Sequence, residues 1–499
     1  MRLSPRLYAH PQATPRRCSS PATVPRARDA GTQASAATAD AAHSVRPDTA
    51  PVTVGLSGRA AARSAATSWA SFDQPIESWP ARTATPTRST VRGGCPAGSA
   101  ATRTAKVVTA TVGAGWLARA RAFARSAAVT ARTYSGQPAG RFGSVSVIAS
   151  AHGVVPEQCV TQAEVTAALG DLVLRDAPQR RALLERVHAS AHVTTRHLAL
   201  PLDAYAGLNG FTEANDVFID VGTRLAERAV RGALDAAGLA PADVDQVTSV
   251  SVTGIAAPSL DARLVPLLGL RPDVKRVPVF GLGCVAGAAG VARVHDYLLG
   301  HPDDVAVLLS VELCSLTLQR GDSSPAALVA SGLFGDGAAA VVMVGAERAR
   351  ALGLDGPRVE ATRSRLYPDT ERVMGWDIGT GGFSIVLSAE VPAVVEQYLR
   401  ADVDAFLADH GTALADVARV VAHPGGPKVL RAMERALERP EADFAVTWDL
   451  LAEQGNLSSA SVLHVLERTM AEHPGAPGEA GLMLAMGPGF CLEQVLLRW

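Results

Sequence analysis

The stretch VPVFGLGCVAGAAGVARVHDYLLG, residues 277–300, decides the fold. Val277, Val279 and Phe280 form a short apolar run with a β-branched bias, which predicts a buried strand. Gly281-Leu282-Gly283 then predicts a tight turn. Residues 285–299, small in their first turns, predict a helix. Cys284 therefore stands where a strand feeds a helix N-terminus. Unpaired amides and the helix dipole favour an anion there, so a thiol so placed ionises more readily than a free one. Gly287 and Gly290 leave room on the adjacent helix face. Two readings stay open on this turn: a nucleophilic thiolate, or a buried structural cysteine. Gly281-x-Gly283-x-x-Ala286 also matches the relaxed dinucleotide-binding fingerprint. That fingerprint calls for an acid at the C-terminal end of the next strand, and the nearest candidates, Asp303 and Asp304, precede that strand.

Working outward, apolar runs alternate with amphipathic ones. Strands are expected over 144–149, 247–252, 304–311 and the end of 332–344; helices are expected over 161–174, 177–189 and 217–237. Thr161 with Glu164 has the spacing of a capping box. A second alternation starts near Val359. It holds strands over 383–387 and 417–422, helices over 391–410, 428–438 and 458–472, and two closing strands over 481–486 and 490–497. Continuous apolar strands separated by helices argue for an α/β sheet covered on both faces. The expected organisation is a segment 1–143, a first half 144–355 carrying the cysteine, and a second half 356–499 of related layout. No residue-level repeat links the halves, so the duplication is inferred from element order alone.

Residues 1–143 differ in kind. They hold 19 Lys and Arg against 5 Asp and Glu, in a background of Ala, Ser, Thr and Pro. Such a composition buries too little apolar surface to offset chain entropy, so disorder is expected. One basic amphipathic helix is expected over 116–131. The segment reads as a nucleic-acid tail, a membrane-surface helix, a transit peptide, or an over-extended start of a high-GC gene. The six cysteines, at 18, 95, 159, 284, 314 and 491, form no CxxC pair, which fits reduced thiols and a cytoplasmic setting. No stretch reaches the roughly 18 apolar residues of a membrane span, so no stable membrane insertion is expected. No HExxH or Cys/His cluster has zinc spacing, so no metal site is expected.

Two further turns carry chemistry-bearing side chains. His423 ends an apolar strand in RVVAHPGGP, with Pro427 suited to the first turn of a helix. Asn456 lies in GNLSSA, which opens a helix. Taken alone, His423 also reads as a capping or core histidine, and Asn456 as an ordinary N-cap. Together with Cys284 they make a set with chemistry. A neighbouring imidazolium stabilises a thiolate. An imidazole N–H and a carboxamide N–H can jointly hold a thioester oxygen as it gains enolate charge. That set fits acyl capture followed by decarboxylative carbon–carbon bond formation, with no metal and no electron-sink cofactor.

At this point the residues resemble the chalcone synthase-like type III polyketide synthases. The resemblance rests on Cys284 in GLGCVAG, Leu333-Phe334-Gly335-Asp336-Gly337, His423 in AHPGGP, Asn456 in GNLSSA and Gly487-Pro488-Gly489, in family order across 144–499. It implies a thiolase-like fold of two αβαβα halves and a homodimer. It implies acyl-CoA and malonyl-CoA as substrates, no further cofactor and no nucleic-acid partner. Cys284 would carry the growing chain, His423 and Asn456 would polarise the malonyl thioester, and Phe334 would gate the CoA tunnel, unless Phe334 is a plain core aromatic. Arg196, Lys428, Cys314, Thr317, Ile385 and Ser458 would bind substrate or CoA. Departures from the plant pattern stand at Val193 and Leu200, where lysines are expected, at Ile385 in place of a second gating phenylalanine, and at Ala257 in place of a methionine that reaches the partner's cavity. Small or apolar Val252, Cys314 and Ile385 would suit an aliphatic starter. RSRLYPDT and MGWDIGTGGFSIVLS are similar to bacterial members making alkylpyrones and alkylresorcinols, so a pyrone or resorcinol product is expected. Two other functions fit parts of the pattern. One is a ketoacyl-ACP synthase III-like enzyme stopping at one condensation, although its histidine motif usually reads HQAN. The other is a catalytically silent member of the fold whose basic tail binds polyanions, against which the intact Cys/His/Asn set argues.

Overall fold

A computed structural model describes residues 145–499. The segment 1–143, with its expected helix and disorder, lies outside the described residues. The first half runs β1 (Ser146–Val154), β2 (Gln158–Thr161), α1 (Gln162–Val173), α2 (Arg181–Ala189), β3 (Thr195–Leu198), α3 (Phe211–Ala237), β4 (Gln246–Ser251), α4 (Leu260–Leu268), β5 (Lys275–Phe280), α5 (Ala286–Gly300), β6 (Val305–Leu313), α6 (Pro325–Leu333), β7 (Asp336–Gly345) and α7 (Ala346–Leu352). The second runs β8 (Arg358–Leu366), β9 (Met374–Gly379), β10 (Gly382–Leu387), α8 (Val391–Asp409), β11 (Val417–Ala422), α9 (Pro427–Leu437), α10 (Ala445–Gln454), α11 (Ser461–Glu472), β12 (Ala480–Gly487) and β13 (Cys491–Arg498).

Nine strands form one sheet in the order β11-β12-β13-β8-β1-β7-β6-β4-β5. The order states the duplication. From its centre outward the first half reads β1, β7, β6, β4, β5, and the second reads β8, β13, β12, β11. In each, two antiparallel pairings are followed by a parallel one: β1/β7, β7/β6 and β6/β4 in the first half; β8/β13, β13/β12 and β12/β11 in the second. The halves join through the two pairs Ser146↔Val359 and Val147↔Arg358. The second half lacks a counterpart of β5, and α10 stands between α9 and α11 instead.

Three large apolar cores hold the layers together, and a small fourth lies between α1, α2 and α6. α3 and α4 pack on one face of the first half, and α8 and α9 on the outer face of the second. α5 and α11 share the central core with inward residues of both strand sets, among them Val341, Val421 and Met483. Their axes come close because Gly287 has no side chain: a Cβ there would lie 2.3 Å from the Ser459 carbonyl oxygen. This is the thiolase-like arrangement. The expected capping box is present, Thr161 accepting the Glu164 N–H while Glu164 accepts the Thr161 N–H at 2.7 Å.

One expectation needs correction. β5 is an exposed edge strand, with Val277 40% and Phe280 46% accessible. A β-branched apolar run reads alike whether its cover is the same chain or another one. Cys284, Cys314 and Cys491 are free thiols. Among the described residues no helix is long and apolar enough to cross a membrane.

Candidate active site

The Cys284 turn is shaped by backbone that few residues adopt. Gly283 has φ +59°, and a Cβ on it would lie 2.5 Å from the Pro488 ring. A 3-10 turn over Gly283–Val285 then leads into α5. His423 follows β11, its backbone N–H donating to the Leu484 carbonyl at 2.9 Å. Asn456 opens the turn before α11 and bridges to Phe334: its N–H donates to Leu333 O at 2.9 Å, and its carbonyl accepts from Gly335 N at 3.0 Å. The Asn456 Oδ1 accepts the Ser458 N–H at 2.8 Å, which leaves the NH₂ end as the available donor.

Cys284, His423, Asn456 and Phe334 line one cavity with about 760 Å³ of empty space, part of it open to solvent. Val252, Cys314, Trp376, Ile385 and Ser458 line it too. Cys284 is 9%, His423 4% and Asn456 2% exposed. The Cys284 Sγ lies 3.6 Å from the Ser458 Oγ. An adjoining cleft of about 510 Å³ shares Cys314, Phe334, Trp376 and Ile385, and adds Thr317 and Arg196. Lys428 lines neither.

Burial disfavours the charged form of each group. Burial pushes the Cys284 thiol up to about 12, with the nearby Glu312 charge adding to it. Burial pushes the His423 imidazole down to about 3, and its Nδ1 is enclosed without a partner. The helix N-terminus is worth about 1–2 kcal/mol at best, whereas a shift from 9 to about 12 corresponds to roughly 4 kcal/mol. Desolvation outweighs the helix terminus, so burial opposes the charged form of each group taken alone. The dinucleotide reading fails. β4, β5 and β6 are parallel, so Asp304, before β6, lies at the opposite end of the sheet from the Cys284 turn. There its carboxylate accepts from Tyr297 Oη at 2.5 Å.

Sequence reasoning missed two features. Trp376 reaches both cavities from β9, a strand obscured by glycines and an aspartate. Glu312 is wholly buried beneath the site. It accepts from Thr253 Oγ1 at 2.7 Å, Val252 N at 3.1 Å and the Ser459 hydroxyl. Burial pushes its carboxyl up, and these donors pull it back. A lone acid inside the apolar run VAVLLSVEL, residues 305–313, was the available signal.

Comparison with known proteins places this geometry. Residues 137–348 match the chalcone and stilbene synthase N-terminal domain, and residues 358–499 the C-terminal domain. The chain is 56% identical over 352 residues to a 1,3,6,8-tetrahydroxynaphthalene synthase of Streptomyces peucetius subsp. caesius, covering 70% of this chain and 93% of that one. It is 30% identical over 359 residues to a phloroglucinol synthase of Pseudomonas fluorescens, covering 71% of this chain and 99% of that one. The crystal structure of the Streptomyces coelicolor tetrahydroxynaphthalene synthase, a bacterial type III polyketide synthase, superposes with a TM-score of 0.66 at 32% identity, over 71% of this chain and 99% of that one. The chain belongs to the chalcone and stilbene synthase family and is a type III polyketide synthase. Enzymes of this family are acyltransferases that act on CoA thioesters and need no added cofactor.

Proposed function

We propose that this enzyme builds a polyketide on Cys284 by repeated condensation with malonyl-CoA. The reading rests on the single cavity that sulfur, imidazole, carboxamide and the Phe334 ring line together. In loading, Sγ attacks the thioester carbonyl of the starter as its proton passes to His423. The CoA thiolate leaves and takes that proton back. In extension, the carboxylate–methylene bond of malonyl-CoA breaks and CO₂ departs. The electron pair forms an enolate whose oxygen receives hydrogen bonds from His423 and the Asn456 amide. The apolar face of Phe334 disfavours the carboxylate over neutral CO₂. The enolate carbon attacks the acyl group on Cys284, the thiolate leaves, and the lengthened chain on CoA reloads.

For the product, the support is the 56% relative. A 1,3,6,8-tetrahydroxynaphthalene has ten carbons with oxygens on alternate positions, as a chain made wholly of two-carbon units leaves them. Malonyl-CoA would then supply the starter as well. The apolar Val252, Cys314 and Ile385 favour a second reading, an aliphatic acyl-CoA starter and a pyrone or resorcinol product. Purified enzyme given malonyl-CoA alone, then with acyl-CoAs, decides by mass spectrometry. A ten-carbon aromatic from malonyl-CoA alone supports the first, and alkylpyrones or resorcinols only with acyl-CoA support the second. Products stopping at one added two-carbon unit overturn iteration.

A homodimer joined along β5 is part of the proposal, since that edge leaves Val277, Phe280 and nearby Ile255 uncovered and an open apolar edge is a pairing site. Cys314, Thr317, Ile385 and Ser458 are proposed as substrate contacts from their places on the cavity and cleft. Lys428 is proposed to meet CoA phosphate from the first turn of α9. The division between halves is proposed at 355/356, between α7 and β8, and a cytoplasmic site follows from where CoA thioesters are used.

A further inference from the structure

Arg196 resembles a CoA-binding arginine by motif, yet it is 1% exposed and its guanidinium is engaged with backbone. Nη1 donates to Ser331 O at 3.0 Å and Phe334 O at 2.7 Å. Nη2 donates to Gly332 O at 2.6 Å and to the Gln162 side-chain oxygen. Only Nε–H lacks a partner, and it is buried. No carboxylate pairs with Arg196 among the described residues. Its acceptors are the end of α6, where a helix leaves its last carbonyls unpaired and presents its negative pole. The accounting is complete: Ser331, Gly332 and Phe334 carbonyls go to Arg196, and the Leu333 carbonyl goes to the Asn456 N–H. Gln162 Nε2 also donates to Gly332 O at 2.9 Å. The His188 ring supports Ser331 Oγ at 3.1 Å.

We propose that Arg196 is a positioning residue: it closes the C-terminus of α6 and thereby sets the placement of Phe334 and, through the Phe334–Asn456 bridge, of the enolate-holding carboxamide. The idea rests on the proposed decarboxylation. It differs from phosphate binding in what it predicts, because the segment it holds serves the malonyl step, whichever thioester brings the malonyl group.

The test uses full-length Arg196→Lys and Gln162→Leu enzymes, each checked for folding by circular dichroism. Steady-state CO₂ release is measured from malonyl-CoA and from malonyl-N-acetylcysteamine, which has no nucleotide. Acylation of Cys284 by a starter acyl-CoA is read by intact mass. Positioning predicts that kcat for CO₂ release falls by about tenfold or more with both malonyl thioesters. KM for malonyl-CoA should stay within about twofold, and Cys284 should still acylate. Gln162 lines neither cavity, so a smaller drop of the same kind in Gln162→Leu supports the same conclusion, and decides it if Arg196→Lys does not fold. A raised KM confined to malonyl-CoA, an unchanged kcat, or loss of acylation to the same degree in folded protein overturns the inference. No CO₂ release by the wild-type enzyme overturns the proposed function and this inference with it. Release that the variants leave untouched overturns this inference alone.

Discussion

The turn at Cys284 and the turn at Asn456 occupy the same slot in the two halves. Each lies in the chain between two strands that pair in parallel, β4 and β6 in the first half and β11 and β12 in the second, and each opens one of the two central helices, α5 and α11. They differ in what comes before. The first half keeps β5, an open edge with Val277 and Phe280 uncovered. The second replaces that strand with α10, and its outermost strand, β11, is largely buried. One slot thus gives a sulfur and an apolar edge, the other a carboxamide held by the end of α6. The same scaffold position carries the proposed nucleophile in one half and the proposed oxyanion-holding carboxamide in the other.

The comparison breaks most visibly at the groups proposed for catalysis. Cys284→Ala should abolish polyketide formation while malonyl decarboxylation persists. Asn456→Ala and His423→Gln should lower decarboxylation by about 10²–10³-fold while Cys284 still alkylates. Product assays and CO₂ release check both, and equal loss of the two steps in all three variants would erase the division of labour. The closeness of the two central helices is next. Gly287→Ala places a Cβ 2.3 Å from the Ser459 oxygen and should destabilise by about 1–3 kcal/mol in urea unfolding.

The pH dependence of stability sharpens the electrostatic contrast. His423 binds its proton at about 3 when folded and near 6.5 when unfolded. Between these values the unfolded chain holds more protons, so stability falls as pH falls from about 6.5 toward 3, by at most about 1.4 kcal/mol per unit. Comparing urea midpoints of wild type and His423→Gln across that range isolates the contribution. An equal slope in both would show that the imidazole is charged when folded. The smallest effect belongs to the edge. Val277→Lys should shift the sedimentation mass from dimer to monomer, while changing the monomer's stability by only about 0.5 kcal/mol.

Much of the layout was legible because apolar periodicity survives without partners. The strand over 417–422 coincides with β11, and the helix over 391–410 with α8 to within one residue. α3 begins at Phe211 rather than at 217, since its first turns are polar and show no apolar stripe. β9 went unseen because a hairpin over a cavity needs no apolar alternation of its own. The three motif turns named the side chains that meet at the cavity. Arg196 was legible as a residue but its partners were not: a motif shows that an arginine is present, whereas the carbonyls it meets come from a helix end more than 130 positions away.

Residue order by itself determined the strand–turn–helix at Cys284, the doubled alternation, and the chemical types offered by Cys284, His423, Asn456 and Phe334. Those follow from local sterics and hydropathy, which act over a few residues. The tertiary structure alone decided that β5 is an uncovered edge, that burial opposes charging of the thiol and the imidazole, and that Arg196 donates to the carbonyls ending α6. Each of these depends on burial and on groups contributed from distant stretches of chain, and desolvation is a property of the assembled surroundings rather than of any neighbourhood in sequence.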